Sequence, residues 1–352
     1  MTDQEQSRYN RHIILPEIGM EGQEKLKKAS VFVIGAGGLS CPALLYMAAA
    51  GIGRIAVADF DVVDESNLQR QVLYTTADIG LSKAEQAKER LQLLNPFITI
   101  EALNVKITRE NILELLNNYD VVVDGSDNFT TRYLVNDACV ILGKPLVFGS
   151  IFKFEGQVSV FNYQNGPTYR CLYPEPPKEG EVPNCSEVGV IGVLPGIIGT
   201  LQANEVIKII TGIGNVLSGK LLMFDALSMV FNTISFKPLP ENKKIKELID
   251  YELFCGVGQT KQISAKELKK KIEQADNFQL VDVRNEDEFE RFNIGGLLIP
   301  LPELEERRNE IPAEKEVILI CKSGKRSEAA VNILNKYGYT KVWNLEGGLD
   351  KL

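Results

Sequence analysis

A glycine-rich stretch near the start of the sequence is the first feature that could bind a ligand. The segment VFVIGAGGLSCPA, residues 31–43, passes from β-branched apolar residues into glycines and then into small residues that favour a helix. The spacing Gly35-x-Gly37-x-x-Ser40 is close to the G-x-G-x-x-G fingerprint, in which glycines permit a tight turn and let the backbone approach a pyrophosphate. Serine stands in place of the third glycine. The stretch therefore predicts a nucleotide-binding turn that contains Gly35 and Gly37.

Polar residues beyond this turn indicate which nucleotide it holds. Asp59 ends the second apolar strand, where the fingerprint places an acid for the ribose hydroxyls. Asn67, Arg70 and Lys83 follow in the segments DESNLQRQ and GLSKAEQ, and Arg11 lies upstream in SRYNRHI. Nucleotidyl transfer needs such cations because charge builds up at the attacked phosphorus, whereas hydride transfer does not. The cations therefore favour ATP over a nicotinamide cofactor.

Two carboxylates follow the fourth apolar strand, in the segment DGSDN. Asp124 and Asp127 stand at the carboxyl end of that strand, where open α/β sheets bind ligands. A carboxylate at this place can hold Mg²⁺ beside phosphates. An acid after a strand can equally cap the next helix, so both roles stay open for Asp127.

A cysteine loop near the end of the sequence indicates a second kind of chemistry. The segment CKSGKRS joins the apolar strand VILI to an amphipathic helix. Backbone N–H groups at the helix start, together with Lys322, Lys325 and Arg326, would favour a thiolate or persulfide anion at Cys321. Four residues separate Cys321 from Arg326, one fewer than in the tyrosine phosphatase signature. The tighter loop suits one sulfur atom better than a phosphate.

The secondary-structure pattern predicts two domains that position these residues. Strand-like and helix-like segments alternate up to about residue 150, which is typical of a parallel sheet covered on both faces. From Gly156 the strands look antiparallel, and after the Lys/Pro/Asn/Glu-rich stretch 237–247 the βα alternation begins again. We therefore predict an α/β protein, with a Rossmann-like domain of mixed sheet at 1–257 and a small α/β domain at 261–352.

The overall composition excludes several classes of function. The 352 residues include 39 Lys and Arg against 47 Asp and Glu, and the net charge of -8 argues against nonspecific binding to nucleic acid or an anionic membrane. The polar N-terminus lacks the features of a signal peptide, so we expect a cytoplasmic protein. The apolar run 188–201 contains Pro195 and is too short to span a bilayer, which favours a buried helix. The six cysteines are scattered, and we expect Cys41 and Cys139 to be core residues rather than disulfide partners.

Several segments together resemble one enzyme family. RYNRHIILPEIGMEGQEKL, VIGAGGLS, DFDVVDESNLQRQ, DGSDN and EGQVSVF are similar to the ThiF/MoeB/HesA group of E1-like adenylating enzymes, in particular the molybdopterin-synthase adenylyltransferase type. The similarity covers nearly all of residues 7–256, and SNLQRQ with RYNRHI is a more specific combination than the glycine loop alone. Such enzymes use ATP to adenylate the C-terminal glycine of a small ubiquitin-like sulfur carrier. The resemblance therefore implies an E1-type adenylation fold for the first domain.

The same resemblance implies roles for individual residues. Those expected to hold the nucleotide or grip its phosphates are Gly38, Asp59, Asn67, Arg70, Lys83 and Asn128. Asp127 would coordinate Mg²⁺, and Arg11 would reach into the site of the partner subunit in a homodimer. A carboxylate that attacks the α-phosphate brings two anions together, so such a site must be cationic and metal-assisted.

Cysteine positions mark one possible covalent step and one departure from the family. Cys185, in PNCSEVGV, resembles the family's crossover-loop cysteine and would be either a covalent link to the activated carrier or an idle thiol. Relatives often carry two C-x-x-C pairs that bind structural zinc, but the corresponding pairs here begin with Thr168 and Glu252. Because structural zinc sites are closed by four Cys or His ligands, we expect no zinc, with Cys171 and Cys255 as packing residues.

The C-terminal segment resembles a rhodanese domain. LVDVRNEDEFE, IPL, CKSGKRS and LEGG carry this similarity over residues 261–352, and it implies that Cys321 carries sulfur. Tethering the two domains raises the effective concentration of the sulfur donor at the activated carboxyl. We therefore expect ATP-dependent adenylation of a MoaD/ThiS-like carrier that ends in Gly-Gly. A thiocarboxylate would then form with sulfur from a persulfide or thiosulfate, in molybdopterin biosynthesis.

Two alternatives stay open at this point. The same chemistry could act on a carrier for thiamine biosynthesis or for tRNA thiolation. A different class of protein, a non-adenylating nucleotide-binding module fused to a sulfurtransferase, would not need the cluster of cations.

Overall fold

The chain divides into two compact units, Met1–Cys255 and Gly256–Leu352. The computed structural model describes residues 1–177, 189–255, 261–274, 276–339 and 341–352. The predicted junction between residues 257 and 261 therefore falls almost entirely outside the described residues. Each unit has its own sheet and its own apolar core.

The first unit is built on an eight-stranded mixed sheet in the order β3-β2-β1-β4-β5-β6-β7-β8. The strands are β1 (Ser30–Ile34), β2 (Arg54–Ala58), β3 (Thr99–Leu103), β4 (Val121–Asp124), β5 (Leu146–Phe152), β6 (Glu155–Phe161), β7 (Lys220–Asp225) and β8 (Val230–Ser235). Strands β1 to β5 pair in parallel, whereas β6, β7 and β8 pair antiparallel. This arrangement confirms the predicted Rossmann-like mixed sheet.

Helices cover both faces of this sheet. They are α1 (Asp3–Ile13), α2 (Gly19–Lys28), α3 (Ser40–Ala50), α4 (Lys83–Leu94), α5 (Ile112–Leu116), α6 (Phe129–Leu142), α7 (Tyr169–Leu172), α8 (Val193–Thr211) and α9 (Tyr251–Phe254). Helix α3 follows the glycine loop directly and ends at Gly51, which adopts the left-handed conformation that favours glycine at a helix C-terminus. Helix α4 begins after Ser82, whose side chain accepts a hydrogen bond from the Glu85 N–H.

The central strand β1 shows how the sequence fixes the sheet. All its residues are buried, and they alternate between two apolar clusters on opposite faces. Val31 and Val33 belong to one cluster, and Phe32 and Ile34 to the other. Burial of one such side chain stabilises the fold by about 1.5–3 kcal/mol. Because both faces are apolar, this strand can occupy only the centre of the sheet, where it places the glycine loop.

Helix α8 has 19 residues and is apolar enough to cross a membrane by length and composition. It is longer than the apolar run predicts, yet it packs within the unit. A Cβ built on Gly199 would lie 2.1 Å from the Leu39 carbonyl oxygen, so the helix touches the backbone behind the glycine loop. Its buried Gln202 donates to the Asp124 carbonyl oxygen, and its buried Glu205 accepts from the Leu217 N–H. These contacts make α8 a core helix of the first unit.

The second unit has a five-stranded parallel sheet in the order β11-β10-β12-β13-β9. Its strands are β9 (Lys261–Ile263), β10 (Phe278–Asp282), β11 (Leu297–Leu298), β12 (Glu316–Ile320) and β13 (Val342–Leu345). Its helices are α10 (Ala265–Glu273), α11 (Glu286–Arg291), α12 (Leu304–Arg307) and α13 (Lys325–Lys336). The central strand β12 is buried on both faces and ends at Ile320, directly before Cys321. This parallel sheet confirms the predicted small α/β fold.

Candidate functional site

The glycine loop lies where the order of the parallel strands reverses. Strand β1 pairs with β2 on one side and with β4 on the other, so two chain crossovers leave this point in opposite directions. Ile34 pairs with Asp124, which brings the loops after both strands together. Gly35 has φ +82°, and a Cβ built on it would lie 3.1 Å from the Gly125 carbonyl oxygen. Open α/β sheets bind ligands at this kind of switch point.

The glycine loop forms an open backbone cradle, because few side chains lie close to its glycines. The nearest atom to a Cβ built on Gly37 is the Gln71 Nε2, at 3.8 Å. A Cβ on Gly38 would lie 3.2 Å from the Pro195 Cβ and 3.5 Å from the Arg70 Cγ. Arg70 therefore lies against the loop, as the sequence predicts for a phosphate-binding cation.

Asp59 supports this cradle through the backbone. One carboxylate oxygen accepts from the Ala36 N–H at 2.7 Å, and the other accepts from the Asp61 N–H at 2.8 Å. Burial raises the pKa of Asp59, and these two hydrogen bonds oppose that effect. Asp59 thus fixes the turn, and its predicted contact with the ribose stays a prediction.

Lys83 lies near the same loop, and its side chain is buried. The residue is only 7% exposed, and its Nζ donates to the Asp61 carboxylate at 3.2 Å. The Tyr74 hydroxyl is within hydrogen-bond distance of two carbonyl oxygens, 2.8 Å from that of Ala36 and 3.2 Å from that of Lys83. The backbone of Lys83 is therefore linked to the glycine loop through Tyr74, and its ammonium is close enough to Asp59, which binds that loop, to oppose the rise in the Asp59 pKa.

Asn67 ends a one-turn 3-10 helix, Glu65–Asn67, in the long connection between β2 and α4, and Arg70 follows it closely. The Asn67 side-chain oxygen accepts from the Asp64 N–H at 3.3 Å, which closes the turn. The Arg70 guanidinium donates to the Ser66 carbonyl oxygen at 2.9 Å. The turn thereby orients Arg70, which keeps further N–H groups available for a ligand.

The two carboxylates of DGSDN take different places. Asp124 is buried, its pKa is raised by that burial, and it accepts from the Ser126 N–H at 2.9 Å. Asp127 is exposed, with the Asn128 amide 3.4 Å from its carboxylate. Asn128 caps α6 by accepting from the Thr131 N–H at 2.9 Å. The capping role left open for Asp127 therefore belongs to Asn128, and the Asp127 carboxylate faces solvent.

Buried polar atoms without a partner concentrate around this edge of the sheet. In the described part of the first unit they are Ser40 Oγ, Gln71 Oε1, Ser126 Oγ, Arg132 Nε and Gln202 Oε1. Leaving such an atom unsatisfied costs about 1–3 kcal/mol. A nucleotide fits these features: a backbone cradle, two cations beside it and polar atoms that lack partners. No group of three or more potential ligand side chains lies together among the described residues. An Mg²⁺ ion at this edge would therefore take most of its ligands from phosphate oxygens and water, with Asp127 as the protein ligand.

Arg11 and Cys185 are the two further residues that the sequence predicts for this site. Arg11 is exposed on α1, and its predicted role requires a second subunit. Cys185 lies outside the described residues. Both assignments stay predictions.

Cys171 and Cys255 stand where relatives carry zinc-binding C-x-x-C pairs, and the two residues differ in their surroundings. The Cys171 Sγ is half-buried and accepts from the N–H groups of Thr168 and Leu239 at 3.4 and 3.2 Å. Burial alone would raise the pKa of Cys171, but hydrogen bonds from Thr168 and Leu239 outweigh it and lower the pKa. Cys255 is buried, and burial raises its pKa. Cys171 is thus more than a packing residue, whereas Cys255 packs like the buried Cys41 and Cys139.

In the second unit, hydrogen-bond donors surround the sulfur atom of Cys321. Cys321 is fully buried, and its Sγ accepts from the N–H groups of Gly324 and Ser327 at 3.2 and 3.4 Å. The Ser327 hydroxyl lies 3.3 Å from the same sulfur. These donors can stabilise a sulfur anion without a formal positive charge.

A glycine from the C-terminal LEGG segment braces this loop. A Cβ built on Gly348 would lie 2.4 Å from the Cys321 carbonyl oxygen and 2.5 Å from the Gly324 nitrogen. The neighbouring Leu349 N–H donates to the Cys321 carbonyl oxygen at 2.8 Å. Only glycine allows this close approach, which fixes the shape of the sulfur loop.

The cations of the sulfur loop do not donate hydrogen bonds to the Cys321 sulfur among the described residues. Lys322 and Lys325 are exposed. Arg326 forms a bidentate ion pair with Glu288 of α11, in which both N–O distances are 2.7 Å. Hydrogen bonding from Arg326 lowers the pKa of Glu288 to about 2. The sequence analysis missed Glu288 and Ser327, although Ser327 directly follows Arg326 in the quoted loop.

Comparison with known proteins identifies two families in this chain. The profile of the ThiF family matches residues 9–245, and that of the rhodanese-like domain matches residues 264–352. The probable adenylyltransferase/sulfurtransferase MoeZ of Mycobacterium tuberculosis is 44% identical over 365 residues, covering 99% of this chain and 93% of the relative. The adenylyltransferase and sulfurtransferase MOCS3 of Anopheles gambiae is 45% identical over 363 residues, covering 95% and 82%.

A shorter relative and one solved structure match the first unit. The sulfur carrier protein adenylyltransferase of Thermus thermophilus is 54% identical over 267 residues, covering 73% of this chain and 98% of the relative. The structure of E. coli MccB with ATP aligns with a TM-score of 0.58 at 23% identity, covering 66% of this chain and 72% of that chain, and it shows the shared fold. This chain therefore belongs to the ThiF family, carries a rhodanese-like domain after the ThiF domain, and is an enzyme of the adenylyltransferase and sulfurtransferase type.

Proposed function

We propose that the enzyme adenylates the C-terminal glycine of a ubiquitin-like sulfur carrier and then exchanges AMP for sulfur delivered by Cys321. The observation that carries the adenylation half is the convergence of Arg70 and Lys83 on the glycine cradle, with the exposed Asp127 at the same edge of the sheet. The name of the Thermus relative supports a sulfur carrier as the substrate.

The first step is nucleotidyl transfer. The carrier carboxylate attacks the α-phosphorus of ATP, pyrophosphate leaves, and an acyl-adenylate forms. Arg70 and Lys83 neutralise charge on the phosphates, and each such contact stabilises the transition state by about 2.7–4 kcal/mol. Asp127 would hold Mg²⁺, which would supply further neutralisation of the phosphate oxygens when bound. Asp59 keeps the glycine loop in place throughout, because it binds the Ala36 and Asp61 backbone.

The second step is sulfur transfer. A persulfide on Cys321 attacks the acyl carbon with its outer sulfur, AMP leaves, and an acyl disulfide joins the carrier to Cys321. A second thiol then attacks the Cys321 sulfur and releases the carrier thiocarboxylate. Cys185 or a small thiol reductant supplies that second thiol. Cys321 receives its sulfur from a persulfide or from thiosulfate.

An exposed apolar surface on the first unit supports a protein substrate. Leu227, Met229 and Phe231, at the turn before β8 and on that strand, are 72%, 68% and 51% exposed. The Phe231 ring packs on Phe224 of β7, which shares an apolar cluster with Leu39 of the glycine loop. The surface lies on the edge strand β8 and the turn before it, and we assign it to the carrier.

The pathway, assembly and location follow from the family resemblance. We place the enzyme in molybdopterin biosynthesis, in the cytoplasm, as a homodimer in which Arg11 completes the site of the partner subunit. We also propose that it binds no zinc, because Thr168 and Glu252 replace two of the four expected thiolates. Carriers for thiamine biosynthesis and tRNA thiolation are the alternatives, and the carrier assay described next separates them.

Carrier-dependent exchange of pyrophosphate into ATP tests this function. Purified candidate carriers that end in Gly-Gly are supplied one at a time, and we expect exchange with the carrier of the molybdopterin pathway. Asp127→Ala should abolish exchange, whereas Asp127→Glu should keep part of it because a carboxylate is retained. Strong exchange by Asp127→Ala would remove the magnesium assignment. Lack of exchange with every carrier would favour the nucleotide-binding module without adenylation.

A further inference from the structure

The Ser327 hydroxyl lies between two atoms that can accept its single proton. Its Oγ is 3.3 Å from the Cys321 Sγ and 3.1 Å from the Gly324 carbonyl oxygen. Ser327 and Cys321 are both fully buried. One hydroxyl has only one proton to donate, so these two hydrogen bonds cannot both be donated at the same time.

Among the described residues, the cations of the loop do not donate a hydrogen bond to the Cys321 sulfur. Arg326 directs two N–H groups to Glu288, and Lys322 and Lys325 are exposed. The hydrogen bonds to the Cys321 Sγ within the described residues come from two backbone N–H groups and the Ser327 hydroxyl. The hydroxyl is therefore the one side-chain donor among them.

We infer that Ser327 is a catalytic residue of the sulfur-transfer site, whose hydroxyl turns from the Gly324 carbonyl to the Cys321 sulfur when that sulfur becomes an anion. The inference rests on the proposed role of Cys321 as the sulfur carrier. In the thiol form the hydroxyl donates to Gly324, because a neutral thiol is a weak acceptor. In the thiolate form the bond to sulfur is charge-assisted and therefore stronger.

The rotation of the Ser327 hydroxyl matches the change in charge on the Cys321 sulfur during sulfur loading. The Cys321 thiolate attacks the outer sulfur of a donor persulfide, R–S–SH, and a new S–S bond forms. The bond between the two donor sulfurs breaks, and R–S⁻ leaves with the electron pair. The Cys321 Sγ is then a neutral bridging sulfur, so the hydroxyl returns to Gly324. Ser327 thus stabilises the attacking anion and releases the sulfur after transfer.

A structural role for the same residue makes a different prediction. A serine near a helix start often donates to the carbonyl three residues before it, which is the geometry of Ser327 and Gly324. A hydroxyl that only held the loop would change Cys321 reactivity equally at every pH. A hydroxyl that stabilises the anion changes reactivity only where the thiolate is the minor form.

The test is the pH profile of Cys321 alkylation by iodoacetamide in the full chain, read at the Cys321 peptide by mass spectrometry. We expect Ser327→Ala to move the midpoint of the profile upward by about one to two pH units while the rate at high pH stays the same. Ser323→Ala is the matched control, because Ser323 is an exposed serine of the same loop. It should leave the midpoint unchanged, and so should Ser327→Thr, which keeps the hydroxyl.

Three results would overturn the inference: an unshifted midpoint in Ser327→Ala, an equal fall in rate at every pH, or a shift of the same size in Ser323→Ala. If Ser327→Ala does not fold, a shifted midpoint in folded Ser327→Thr overturns it as well. Failure of the proposed function has a separate signature. In that case Cys321→Ala would still make thiocarboxylate, whereas the alkylation profile would still report on Ser327.

Discussion

The two sites of this enzyme stabilise negative charge by different means. Beside the glycine cradle lie two cationic residues, Arg70 and Lys83. Lys83 is almost fully buried, and its ammonium group pairs with the Asp61 carboxylate. Around Cys321 the donors are backbone N–H groups and a hydroxyl, while the arginine of the loop is already paired with Glu288.

The difference matches the charge that each site must handle. A triphosphate carries several charges and gains more in the transition state, so uncharged donors alone would leave it poorly stabilised. A single sulfur anion needs less, and a fixed cation too close to it would weaken its attack as a nucleophile, because nucleophilicity falls with thiol pKa. The number of lysines and arginines in a loop is therefore a poor measure of the electrostatic field that the loop produces.

The largest expected effect comes from removing the buried charge at the nucleotide edge. Lys83→Met keeps the length of the side chain but loses its ammonium group, and we expect carrier-dependent pyrophosphate exchange to fall by about 10²–10³-fold. Sulfur loading of Cys321 should be unchanged, because that site belongs to the other unit. Lys88→Met, at an exposed position on the same helix, is the control and should retain exchange. Equal losses in both variants would contradict the account.

A second prediction concerns the backbone contact that forms the nucleotide edge. A Cβ on Gly125 would lie 2.0 Å from the Ser40 Oγ and 2.9 Å from the Ile34 carbonyl oxygen. Gly125→Ala should therefore lower the free energy of unfolding of the first unit by about 1–3 kcal/mol. Gly196→Ala, in a helix with no atom within 4 Å of the new Cβ, should raise it by about 0.5–1 kcal/mol. Denaturant unfolding measures both, and a destabilised Gly196→Ala would show that this helix is packed differently.

The exposed apolar surface gives a third prediction, about carrier affinity. Phe231→Asp should raise the KM for the carrier by roughly tenfold, because a charged group would be desolvated in the contact. The KM for ATP should stay the same. Asn232→Asp adds the same charge to the opposite face of β8 and serves as the control. An unchanged carrier KM in Phe231→Asp would place the carrier elsewhere.

The smallest expected effect is at the ion pair of the sulfur loop. The pKa of Glu288 is lowered from 4.5 to about 2 by Arg326, so its contribution to stability is present above pH 4.5 and is lost as the pH falls towards 2. Glu288→Gln lacks this contribution, and its unfolding temperature should depend less on pH in that range. The difference at neutral pH should be below about 1 kcal/mol, because the pair is partly exposed. Identical pH dependence of the two proteins would contradict the pairing.

Much of the fold could be predicted from local pattern. The apolar strands and the glycine loop were visible as β-branched runs and a cluster of glycines. The mixed sheet was also predicted, because the pattern changes after β5. The apolar run 188–201 predicted a buried helix, and α8 continues beyond that run to Thr211.

Side-chain partners were harder to predict than elements. Asp127 and Asn128 are neighbours that can both cap a helix, so sequence alone could not divide the two roles between them. Arg326 meets Glu288 only because α11 lies beside the sulfur loop, and this depends on the tertiary fold. Ser327 could not be singled out from the sequence, because its hydroxyl is uncharged and its contact with the Cys321 sulfur depends on the shape of the loop.

In the mechanism proposed above, separate sites in the two units carry out adenylation and sulfur transfer. The most direct test measures carrier-dependent pyrophosphate exchange and carrier thiocarboxylate on one preparation of Cys321→Ala, with a persulfide donor supplied. We expect normal exchange and no thiocarboxylate by mass. Thiocarboxylate formed at the normal rate would contradict it and would make Cys185 the leading candidate for the sulfur carrier.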